Sequence, residues 1–92
     1  MKIYTIYDSK AESHVMLLTN ENEDTIKREI TQRMAGTQIE TFAEDYTLFE
    51  IAAFDEITGT ITPYSAHRSI TNLLGIFPKR MPDTSPTDSM PE

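Results

Sequence analysis

Ninety-two residues with a net charge of −7 and no cysteine bound the chain to one small domain, with neither disulfides nor a thiolate chemistry. A chain this acidic is a poor general coat for DNA, because non-specific binding rests on Lys and Arg neutralising phosphates. No apolar run approaches the ~20 residues needed to span a bilayer, and Asp8, Lys10 and Glu12 interrupt any signal-peptide core. The reading is a soluble protein of a reducing cytoplasm.

Lys2 to Asp8 reads as a first strand, rich in Tyr, Thr and Ile. A polar turn over 9–13 leads to a second strand over 14–18. Asn20 or Asn22 can then cap a helix whose first turn holds Glu23 and Asp24, which suit the positive end of the helix dipole. Ile26, Ile30 and Met34 recur every four residues and give that helix one narrow apolar stripe. Gly36 supplies its stop.

The run from Tyr46 to Phe54 alternates as a strand. Tyr46, Leu48, Ala52 and Phe54 share one face, while Phe49, Ile51 and Ala53 share the other. Apolar residues on both faces predict a central strand covered on both sides, with Phe49 and Ile51 buried. Asp55 to Gly59 forms a turn in which Gly59 takes a positive φ, and Thr60-Ile61-Thr62 returns until Pro63 ends the ladder. Ala66 to Leu74 reads as a short helix or a connection, with Ile70, Leu73 and Leu74 on one side. From Pro78 the chain turns to Pro, Ser, Thr and Asp, the composition of a disordered tail. The predicted fold is α+β: about four antiparallel strands, with a central hairpin near residues 46–62, packed on one main helix. The domain spans 1–77 and the tail 78–92.

Chemistry-bearing patterns are sparse. Asn20, Asn22 and Asp24 match the first three calcium ligands of an EF-hand, but Thr25 and Thr31 stand where the loop needs Gly and Glu, so capping explains them. His14 and His67 lie far apart in sequence with no ligand cluster around either, and no metal or cofactor is expected. Ser65, Ser69 and His67 do not form a recognisable nucleophile system. The three glycines build no phosphate cradle. Glu50 is out of place in an apolar strand and calls for a position at the rim or a basic partner such as Lys2 or Arg33.

The remaining cue is for nucleic acid. Tyr4, Tyr7, Tyr46 and Phe49 lie on strands, where an exposed ring could stack a base at ~1–3 kcal/mol. Core packing takes most of them, leaving Tyr4 and Tyr46 as the rings expected to face water. Lys27, Arg28 and Arg33 on the helix are the accompanying cations, and three phosphate contacts imply a log–log salt slope of only about −2.

Two blocks carry a family resemblance: Ile6-Tyr7-Asp8-Ser9-Lys10-Ala11, and Asp45-Tyr46-Thr47-Leu48-Phe49 followed by Phe54-Asp55-x-x-Thr58-Gly59-Thr60-Ile61. In these blocks, their order and the total length, the chain resembles the small nonstructural protein of gokushovirus-like microviruses, phages with circular single-stranded DNA. The resemblance spans roughly residues 3–64; the stretch 66–77 departs from the simple tail expected of the family. It implies a non-enzymatic accessory protein in the cytoplasm of an infected bacterium, serving single-stranded genome replication or the switch to single-strand synthesis. Phage replication or assembly proteins are the implied partners, with weak contact to single-stranded DNA and scope for homo-oligomers. A scaffold-like virion assembly component and an acidic host-directed inhibitor are the alternative readings.

Overall fold

The computed structural model describes residues 1–78. Four strands, β1 (Lys2–Asp8), β2 (Ser13–Asn20), β3 (Tyr46–Phe54) and β4 (Ile61–Asn72), form one antiparallel sheet in the order β2-β1-β3-β4. Helix α1 (Glu23–Met34) and the single turn α2 (Gln38–Thr41) connect β2 to β3. Short 3-10 turns precede β3 at Ala43–Asp45 and follow β4 at Leu73–Gly75. The α+β architecture is thus the expected one; most of the tail read from 78 onward lies outside the described residues.

Local chemistry explains the boundaries. Asn22 caps α1 reciprocally: its side chain accepts from the Thr25 amide at 3.0 Å, while Thr25 Oγ1 accepts from the Asn22 amide at 3.2 Å. Two of the orphan donors at the helix start are thereby satisfied. Gly36, at φ +80, turns the chain out of the helix. In the β3–β4 turn, Asp55 Oδ1 accepts from the amides of Ile57 and Thr58, and Gly59 sits at φ +81.

One face of the sheet packs on the helix. Tyr4, Ile6, Leu18, Tyr46 and Leu48 meet Ile26, Ile30 and Met34 in one core, closed by Ile39, Ala43, Leu73 and Phe77. Among the described residues that core covers one side of the sheet, and Ile3, Thr5 and Ala52 are buried outside it. Phe49, Ile51 and Ala53 are half-buried, which corrects the expectation of a strand covered on both faces. The described residues hold one long helix, and so a single layer to lay on the sheet.

The C-terminal third also differs from expectation. Residues 61–72 are one strand of twelve residues, and the helix expected from Ala66 does not form. Pro63 does not end the ladder, because β4 is an edge strand and can leave a prolyl nitrogen unpaired. Between the pairs Glu50↔Arg68 and Ala52↔Pro63 the register slips. Residues 64–67 therefore bulge out of the ladder, which broke the periodicity that would have marked a strand.

Candidate nucleic-acid interface

Two faces of one sheet hold two different chemistries. On the helical side, Glu50 is 4% exposed. Its carboxylate accepts from Arg68 Nη1 at 2.8 Å and from the Tyr64 hydroxyl, and Arg68 Nη2 reaches Glu23 Oε2 on α1 at 2.7 Å. The basic partner that the odd glutamate called for is Arg68, rather than Lys2 or Arg33. The bulge explains the choice, since it aims Tyr64 inward and sets Arg68 directly across from Glu50. This network fastens the β4 edge to both the sheet and the helix.

On the uncovered face, every strand contributes one ring. Tyr7 of β1 and His14 of β2 lie 4.9 Å apart, centroid to centroid, and Phe49 of β3 lies 6.2 Å from Tyr7 and 5.8 Å from His14. His67 of β4 completes the group at 5.4 Å from His14 and 6.1 Å from Phe49. The pairs are edge-to-face or tilted, the arrangement that ring quadrupoles favour. Thr5 Oγ1 shares a 2.7 Å hydrogen bond with His14 Nδ1 and so fixes that imidazole over the sheet. The histidines come from the two outermost strands, and each leans over the sheet to meet the other. His14 and His67 are exposed, while Tyr7 and Phe49 are half-buried.

The neighbours that the register sets beside these rings are Thr5, Leu17, Thr47 and Ser69, all uncharged. Cations lie elsewhere. Lys27 pairs with Glu23 and Arg33 with Glu29 along α1, where Arg28 is exposed. Lys2 borders a depression with Asn22, Glu23 and Asp24, Lys10 borders one with Gln38 and Phe42, and Arg68 holds Glu50 and Glu23. All six described Lys and Arg side chains therefore sit toward the helical layer.

The sequence-derived site divides accordingly. Tyr4 is fully buried and Tyr46 is 4% exposed, so neither ring can stack a base, against expectation. Both have the parity of Leu48 and Ile6, which face the helix. Lys27, Arg28 and Arg33 do share α1, but the sheet separates them from the ring face. Tyr7, His14, Phe49 and His67 are the rings brought together instead. For Tyr7 and Phe49 half of the signal was present: one apolar helix stripe can cover one strand parity only, but nothing local said which. For the two histidines nothing local announced a meeting across 53 positions. Among the described residues, no three His, Asp or Glu side chains converge as a metal site would require.

Fold and face together define a small α+β domain with a single-layer sheet, one side packed and the other an open aromatic surface. The chain belongs to the phage ORF5 protein family, whose description matches it over residues 1–76. That span takes in all four strands and the helix. No curated protein matches the chain. No solved structure matches it either.

Proposed function

We propose that this phage protein is a non-enzymatic accessory factor of a microvirus-like single-stranded DNA phage, acting in the cytoplasm of the infected bacterium. Its task is single-stranded genome replication or the switch to single-strand synthesis, carried out through phage replication or assembly proteins. In that work the open sheet face touches unpaired bases. The observation that supports this reading is the four-ring group Tyr7, His14, Phe49 and His67. Rings on an open sheet face offer stacking surfaces to bases that a duplex keeps hidden, while the Thr47 and Ser69 hydroxyls beside them suit base edges.

Electrostatics sets the strength. A ring face that holds none of the described Lys or Arg side chains, on a chain of net charge −7, gains stacking but little from counterion release. Binding should be weak, selective for single strands and nearly indifferent to salt. Fluorescence anisotropy with a labelled oligothymidylate and its duplex, at several salt concentrations, tests this. The expected outcome is single-strand preference, a log–log slope shallower than about −1, and loss of binding in His14→Ala/His67→Ala. Duplex preference, or a slope near −2 abolished by replacing Lys27, Arg28 and Arg33, would return the site to the helix and overturn the reading.

A further inference from the structure

The sheet has two edges, and one is far better defended than the other. The β4 edge holds Pro63, the bulge at 64–67 and Arg68, three devices that stop a strand from recruiting another. The β2 edge, Ser-His-Val-Met-Leu-Leu-Thr-Asn, has no proline and no Asp, Glu, Lys or Arg. Its one irregularity, at Val15, leaves Met16–Asn20 in unbroken register with Ile6–Lys2. Along that edge Leu17 is 63% and Val15 47% exposed. Among the described residues nothing pairs with the outer side of β2.

We propose that β2 is the seam of a homodimer, in which two copies pair β2 with β2 antiparallel and continue the sheet. A second copy is the occupant that the charge pattern favours. Two chains of net charge −7 repel over most of their surfaces, and this uncharged edge is where they approach at least cost. An antiparallel strand pair is also self-complementary about a two-fold axis, so one edge sequence serves both partners. The defended β4 edges then lie at the two outer ends, so growth stops at two copies. The two-fold axis stands perpendicular to the sheet, which keeps both open faces on the same side. His14 lies on the seam strand, and the two ring groups flank the junction as one longer platform.

Dimerisation needs no DNA and is therefore tested apart from the nucleic-acid reading. Sedimentation equilibrium of the full chain should give twice 10.5 kDa. Leu17→Glu/Thr19→Glu sets like charges opposite one another across the seam at exposed positions, and should return the mass to a single 10.5 kDa with unchanged circular dichroism. Thr62→Glu/Ser69→Glu, with the same added charge on the β4 edge, should remain dimeric. Outward amides of β2 should gain hydrogen-exchange protection as concentration rises. A wild-type chain monomeric at every concentration would overturn the proposal. So would a dimer that survives the β2 variant, or β2 protection that persists in a dilute monomer, since the chain would then be covering its own edge.

Discussion

Tyr4 sits at the centre of the packed face with its hydroxyl buried and unpaired among the described residues. Burial, and then the charges of Glu50 and Glu23, push its phenol from the usual 10 up to about 12. The unfolded phenol ionises first, so this contribution is intact below pH 10 and is lost as pH rises from 10 towards 12. Tyr4→Phe removes an unsatisfied polar atom at little cost in volume. It should leave stability unchanged or raise it by about 1 kcal/mol at pH 8, and the gain should widen at pH 11. Denaturant midpoints of both proteins at the two pH values check this. Arg68→Ala acts oppositely, because it strands a buried carboxylate on Tyr64 alone. Arg68 itself is largely solvated, which screens part of the pair, so the denaturant midpoint should fall, though by less than the loss of a fully buried pair would bring. The glutamate was conspicuous in the sequence as a charge in an apolar strand. Its partner was not, because that pairing depends on a slip in register that no local pattern announces.

At the scale of elements, the legible parts were those written in short-range chemistry. The α1 cap at Asn22, the 26/30/34 stripe and the turn closed by Gly59 could all be read in sequence and all form. β4 could not, because a bulge mixes its two faces and a proline within it resembles a stop. The parity of β3 was legible as far as Glu50, where the register slips against both neighbouring strands and parts Ala52 from Tyr46 and Leu48; which face the helix covers was not, since Leu48 and Phe49 are equally apolar. The structure ranks them. Leu48 is fully buried and Phe49 half-buried, so Leu48→Ala should cost ~2–5 kcal/mol and Phe49→Ala clearly less, despite the larger side chain lost. Equal or reversed costs in urea unfolding would mean that a second layer covers the ring face. A Cβ added at Gly59, as in Gly59→Val, meets no atom within 4 Å. Its penalty is therefore conformational, ~1–2 kcal/mol from the positive φ, and should appear in stability without altering the ring face.

For the whole molecule, the division of charge between the two sides of the sheet matters most. All the described Lys and Arg side chains lie toward the helical layer, and the rings stand among uncharged neighbours. The sequence hides that separation, because a site built on Tyr4 and Tyr46 joins aromatics to helix cations that the sheet keeps apart. The central claim is that the neutral ring face, rather than the helix, meets single-stranded DNA. The most direct measurement is a titration of the isotope-labelled protein with an oligothymidylate, followed residue by residue by nuclear magnetic resonance. Shifts should concentrate at Tyr7, His14, Phe49 and His67 and persist as salt rises. Shifts confined to Lys27, Arg28 and Arg33, vanishing with salt, would contradict the account.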